Sequence, residues 1–196
     1  MNAALAATEF YPLDAGDQVR ADVYRVLARL FRAAPDGALL DALAESASGA
    51  DDELGKHWNA LCAAAARHTA SELEDEYASL FLGIGEPKVM LYGSWHQAGS
   101  LMDMPLARLR DDLAELGFAR QEEVREPEDH IAALLEVMAM LVGDNRPQQT
   151  EFFRRHLASW HGALCQRLEA EANDFYRAVA GFTRCYLDGE AEQSAR

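Results

Sequence analysis

The sequence predicts an all-α, single-domain helical bundle of about eight or more helices, and three observations carry that expectation. Apolar residues recur at helical spacing in most segments, no period-2 run of β-branched residues marks a strand, and short Pro, Gly and Asn clusters punctuate the chain where helices would end. With 196 residues, 49% hydrophobic and 26% charged, such a chain can bury roughly 70% of its unfolded surface in one core. No self-similarity at a fixed period points to a solenoid.

The elements follow in order. Val19, Val23, Val26, Leu27, Leu30 and Phe31 form a stripe that predicts a first helix over about Asp17–Ala34. Pro35-Asp36-Gly37 interrupts it, and Leu39, Leu40 and Leu43 begin a shorter helix that fades into an exposed loop over Glu45–Asp52. Trp58, Leu61, Cys62 and Ala65 mark a third helix. Leu73, Tyr77, Leu80 and Phe81 mark a fourth, with Ser71 as its N-cap. From Gly83 the periodicity stops for about 17 residues holding four glycines, a proline and the aromatics Tyr92 and Trp95, and loops of this length inside a domain are usually functional. Leu106 to Leu116 resume the pattern, Gly117 closes it, and a charged linker covers Arg120–Arg125. Pro127 then suits the first turn of a helix carrying Ile131, Leu134, Leu135, Met138, Leu141 and Val142, ended by Asn145-Arg146-Pro147. One helix is expected over the stripe Phe153, Leu157, Trp160, Leu164 and Leu168, and a last one over Phe175, Val179, Phe182 and Tyr186, fraying from Asp188 onward. The domain therefore reads as residues 17–188, between an N-terminal extension of 1–16 and a flexible tail of 189–196.

Charge and cysteine usage narrow the function. A net charge of −15 and a pI near 4.7 repel phosphate backbones and anionic lipid, so nucleic acid is not the expected partner, whereas a basic peptide would be drawn in. The N-terminus lacks a basic region of the secretory kind, and no run reaches the roughly 20 apolar residues of a membrane span. Cys62, Cys165 and Cys185 are widely spaced without a metal-binding pattern, which fits a reducing, cytoplasmic setting and thiols used as small core residues. His156 and His161 stand five apart, poorly placed for joint ligation, and no H-E-x-x-H, phosphate loop, dinucleotide or G-x-S-x-G signature occurs. Neither a metal, nor a cofactor, nor enzymatic activity is expected.

Two segments concentrate the remaining chemistry. In Glu126-Pro127-Glu128-Asp129-His130, a helix beginning near Pro127 would put Glu128 and Asp129 in an exposed first turn, facing unpaired N–H groups and the positive end of the helix dipole. His130 would border the apolar stripe, either as a satisfied interfacial side chain or as part of a binding site. Tyr77, Leu80 and Phe81 precede the irregular segment that carries Tyr92, Ser94 and Trp95. Those side chains either anchor the loop to the core or line a groove for an apolar peptide carrying basic residues.

Tyr77-Ala-Ser-Leu80-Phe81-Leu-Gly83, Glu86-Pro87 with Tyr92-Gly93-Ser94-Trp95, and the E-P-x-D-H run from Glu126 to His130 occur in the order and spacing of one family. Over about residues 17–188, including Phe152 to Trp160, the chain resembles the TorD/DmsD family of redox-enzyme maturation chaperones. The resemblance implies an all-helical cytoplasmic chaperone that binds the twin-arginine signal peptide or another part of a molybdopterin oxidoreductase catalytic subunit. Such a chaperone assists cofactor insertion and delays export. It assigns client binding to Tyr77, Leu80, Phe81, Tyr92, Ser94, Trp95, Glu126, Pro127, Asp129 and His130. The run Lys88-Val89-Met90-Leu91 after Glu86-Pro87 is less proline- and aromatic-rich than in many such proteins. Leu91-Tyr-Gly-Ser-Trp95 and Pro105 to Leu113 look most like the branch associated with formate dehydrogenases, and the resemblance implies a client of the formate dehydrogenase or the DMSO/TMAO reductase type. The rival readings are a nucleotide-binding enzyme or switch and a structural assembly subunit of the oxidoreductase. Exchange of helices across the two charged loops allows a monomer or a domain-swapped dimer.

Overall fold

Short polar side chains set where several helices begin. In the computed structural model, which describes residues 15–83, 87–119 and 126–194, Asp36, Asp52 and Asp103 accept backbone N–H bonds from Leu39, Gly55 and Met104 at 2.8, 2.7 and 2.6 Å. These caps open α2 (Gly37–Glu45), α3 (Glu53–Ala65) and α6 (Met104–Glu115). Thr69 and Glu72 form a reciprocal capping box that opens α4 (Ala70–Tyr77), two residues before the Ser71 cap expected from the sequence.

The centre of the fold is the pairing of α1 (Ala15–Arg32) with α7 (Ile131–Gly143). Tyr24, Leu27, Leu30 and Phe31 of α1 are fully buried, as are Leu134, Leu135, Met138 and Leu141 of α7. At about 1.5–3 kcal/mol for each buried side chain of this size, this contact is a principal source of stability. A second layer packs α10 (Asp174–Ser194) against α3 and against α9 (His161–Glu171), while α2 lies on α3. α5 (Gly93–Ala98) rests on α6, and α8 (Gln149–His156) joins α7 to α10. Ten α-helices and one π-helical turn, Ala78–Leu82, account for the secondary structure of the described residues, which contain no β-strand. None of their helices is long and apolar enough to cross a membrane.

Four expectations change. The stripe from Phe153 to Leu168 is two helices: the Trp160 indole N–H donates to the His156 carbonyl at 2.6 Å, and the chain turns through Leu157–Trp160 before α9 starts. The irregular segment after Gly83 holds a helical turn, α5, and α7 starts at Ile131, so Pro127 lies ahead of the helix and not in its first turn. The tail expected to fray is helical through Ser194. Glu190 is only 5% exposed and accepts from Arg20 Nε and Nη2 at 2.9 and 2.8 Å and from the Tyr24 hydroxyl at 2.9 Å, which ties α10 to α1. Residues 1–14 of the expected extension, Glu86 and the linker Arg120–Arg125 lie outside the described residues, while Ala15 and Gly16 belong to α1.

Candidate functional site

The two sequence segments singled out for chemistry meet in space. Tyr92 and His130 form an antiparallel bridge: Gly93 N–H donates to the Asp129 carbonyl at 2.9 Å and Ile131 N–H to the Leu91 carbonyl at 2.8 Å. The Asp129 carboxylate adds a third bond, accepting from Ser94 N–H at 2.7 Å and so satisfying an otherwise open donor at the start of α5. Asp129 is 3% exposed, which overturns its expected place in an exposed first turn. Helix α7 is capped instead by His130, whose Nδ1 accepts from Ala132 N–H at 3.1 Å, leaving the imidazole proton on Nε2. The ring stands edge to face with Tyr92, centroids 5.2 Å apart.

The aromatic motif braces the other side of this bridge. Tyr77 donates its hydroxyl to the carbonyls of Phe31 and Arg32, each at 3.1 Å, fixing the end of α1. Its ring packs 4.9 Å from Phe81, which in turn lies 5.3 Å from Tyr176. The π-turn closes with Gly83 N–H on the Ala78 carbonyl, and Val89 N–H returns to the Leu80 carbonyl at 3.0 Å. Gly93 lies so near Trp160 that a β-carbon would come within 3.3 Å of the indole, and His96 stacks on the same ring.

The candidate residues therefore divide. Leu80, Phe81, Tyr77, Ser94, Asp129 and His130 are buried in the core, and the cleft between Tyr77, Phe81, Tyr92, Glu126 and His130 has a volume of about 40 Å³. A cavity that accepts a benzene-sized ring is about 150 Å³, so this cleft is closed to a large side chain. Trp95, 38% exposed, and Glu126 face solvent, and Pro127 is half-buried.

Beside the cleft, across Glu126 and Pro127, lies a larger groove of about 240 Å³ between the end of α1, the end of α6 and α7. Leu113, Phe118, Ala133, Val137 and Met140 give it an apolar floor, and Glu126, Glu128 and Glu136 stand on its rim with Arg32. Arg146 lies 5.4 Å over the Phe118 ring and donates to the Leu116 carbonyl at 3.0 Å, holding that ring in place. Arg110 pairs with Glu128 at 2.9 Å. Sequence reasoning missed Arg32, Glu136, Phe118 and Met140. The available signal was α7 itself, which is apolar on almost every face and has Glu136 as its single charged residue.

Among the described residues no three His, Cys, Asp or Glu side chains converge to hold a metal ion. His156 Nε2 donates to the Asp112 carboxylate at 2.6 Å and His161 Nε2 to that of Asp188 at 3.0 Å, so the two histidines serve different helices.

The described residues form an all-helical fold, and comparisons with known proteins give its family. The family described as nitrate reductase delta subunit matches residues 47–166. The chaperone protein TorD of Shewanella pealeana is 27% identical over 207 residues, covering 94% of each chain. A probable Tat proofreading chaperone, DmsD, of Haemophilus influenzae is 33% identical over 115 residues, covering 57% of this chain and 56% of its own. A solved structure of a candidate redox enzyme maturation protein from Archaeoglobus fulgidus superposes with a TM-score of 0.59 at 18% identity, covering 91% of this chain and 98% of that one, and so shares its fold. The chain belongs to the nitrate reductase delta subunit family, which includes the TorD and DmsD chaperones.

Two predictions follow from the bridge. Asp129→Ala leaves Ser94 N–H buried without an acceptor and should lower the unfolding free energy by roughly 2–3 kcal/mol in urea titrations, whereas Asp129→Asn, which keeps an acceptor oxygen, should lose no more than about 1 kcal/mol. Equal losses would mean that the charge, not the bond to Ser94, is what matters. Burial first, and the positive Arg32 second, hold the His130 imidazole down at about 4. Because the unfolded imidazole titrates near 6.5, the neutral folded form contributes its full stability above that pH and loses it as pH falls toward 4. His130→Asn keeps a capping oxygen without the titration, so between pH 7 and pH 4 the wild type should lose about 3 kcal/mol more than the variant. Parallel pH profiles would contradict the assignment.

Proposed function

We propose that this protein is a cytoplasmic chaperone, not an enzyme, for the catalytic subunit of a molybdopterin oxidoreductase, and that it binds the subunit's signal peptide or an adjoining apolar, arginine-bearing segment. One observation carries the reading: an apolar groove of about 240 Å³ is rimmed by Glu126, Glu128 and Glu136 in a chain of net charge −15. The floor suits the apolar stretch of such a peptide, and the rim suits its arginines. Burial would supply most of the affinity, and the negative field would speed encounter and reject acidic segments. The same carboxylates oppose the phosphates of a nucleotide, which weighs against a nucleotide switch at this place.

On this reading Glu126, Pro127 and Trp95 touch the client from the segments the family resemblance marks. Tyr77, Leu80, Phe81, Tyr92, Ser94, Asp129 and His130 hold those segments in position. The names of the relatives support the chaperone class and a link to twin-arginine export, since one is a TorD chaperone and another a Tat proofreading chaperone. We place the client among formate dehydrogenases on the likeness carried by Leu91 to Trp95 and Pro105 to Leu113.

Isothermal titration of the full chain with a synthetic peptide, two arginines followed by an apolar stretch, tests the groove. The wild type should bind it, and Met140→Glu, which sets a charge on an exposed part of the floor, should bind about tenfold more weakly or worse while keeping its stability within roughly 0.5 kcal/mol. Co-expression should recover the apo catalytic subunit of a formate dehydrogenase in preference to that of a DMSO or TMAO reductase. Wild-type protein that binds neither peptide nor subunit, or a Met140→Glu variant of unchanged affinity, would contradict the proposal.

A further inference from the structure

The groove already holds a guanidinium. Arg32, the last residue of α1, reaches across to two carboxylates on separate elements, Nη2 to Glu136 on α7 at 2.7 Å and Nη1 to Glu126 ahead of α7 at 3.4 Å. Among the described residues neither carboxylate is engaged in the two-pronged fashion that makes arginine pairs strong, so each retains oxygens able to accept further bonds. The three side chains are also wet: Arg32, Glu126 and Glu136 keep 33%, 46% and 49% of their side-chain surface. Pairs this exposed are held weakly and are screened by salt. The backbone beneath Arg32 is by contrast fixed, since Tyr77 donates to its carbonyl, so only the side chain is free to swing.

We propose that Arg32 is an internal occupant of the client's arginine site, a guanidinium that fills the Glu126–Glu136 pair in the free protein and is displaced when a client arginine arrives. This rests on the groove being where the peptide binds. An incoming apolar segment covers Leu113, Phe118, Val137 and Met140 and shields the two carboxylates from water, and a charge-assisted bond gains strength as water leaves. The client's guanidinium, delivered with that cover, therefore makes a stronger pair than Arg32 makes in the open groove. The displaced Arg32 stays at the carboxyl end of α1, where a cation interacts favourably with the helix dipole and the last carbonyls. The arrangement sets a threshold: a peptide without arginine gains nothing from the rim, while a closed acidic pair does not stand open to any passing cation.

The test compares two peptides of identical apolar sequence, one with paired arginines and one with glutamines in their place, titrated calorimetrically at low and at physiological salt. Removing the internal competitor with Arg32→Gln should tighten binding of the arginine peptide by roughly two- to fivefold at low salt, less at higher salt, and leave the glutamine peptide unchanged. Arg32→Lys, which keeps the charge without the planar fork and guards against a folding defect in the first variant, should fall between the two. If Arg32→Gln binds the arginine peptide no better or worse than wild type, Arg32 is a structural clamp and the proposal is overturned while the groove reading stands. Equal tightening toward both peptides would mean that Arg32 obstructs by bulk and does not compete by charge, which also overturns it. Failure of wild type and variants alike to bind either peptide would remove the groove reading and this inference together.

Discussion

The bond between the Asp129 carboxylate and the Ser94 amide is the constraint on which the rest of the site depends. It joins segments 35 residues apart, starts α5 from outside that helix, and is flanked by the backbone bonds that bridge Tyr92 and His130. With one carboxylate oxygen so engaged, the other is buried without a partner among the described residues, as is the Ser94 hydroxyl. Buried groups left in that state are costly, so the segments stay together because the surrounding packing over-determines them: Trp160 under Gly93, Tyr92 against His130, and Tyr77 on the end of α1.

That constraint explains why the aromatic cleft and the groove differ. The bridge draws Tyr92 onto His130 and leaves about 40 Å³ between the aromatic rings, whereas Glu126 and Pro127, immediately upstream, are carried outward to edge a groove six times larger. The acidic motif thus has two faces. Its last two residues are turned into the core as fasteners, and its first three border solvent at the rim. Of the residues that carry the family resemblance, Glu126, Pro127 and Glu128 border the groove.

Much of the architecture was legible because it is written locally. The stripes of α1 and α7 repeat at helical spacing, and the caps of α2, α3 and α6 are aspartates just ahead of apolar runs. What escaped was decided over long range. The stripe from Phe153 to Leu168 keeps its period across a break that exists because an indole N–H captures the His156 carbonyl. The end of α10 contains no apolar signal, yet Glu190 is buried against Arg20 and Tyr24 at the far end of the chain. Asp129 looked like a first-turn carboxylate because the usual logic of helix starts favours acids there, but the cap fell to His130, a residue seldom used so, and the carboxylate was taken by Ser94. The groove itself was hidden for a different reason: its floor is the second apolar face of α7, which in the sequence is indistinguishable from core.

The central claim is that the Asp129 bridge is a fixed frame and that the client lies in the adjoining groove without opening it. Amide hydrogen exchange of the full chain, with and without saturating arginine-bearing peptide, tests this directly. The account predicts unchanged protection at Gly93, Ser94 and Ile131, with added protection confined to residues 113–119, 126–128 and 133–140 and to Trp95. Faster exchange at Gly93, Ser94 and Ile131 on peptide binding would contradict it, because the bridge would then be opening to admit the client between the aromatic rings.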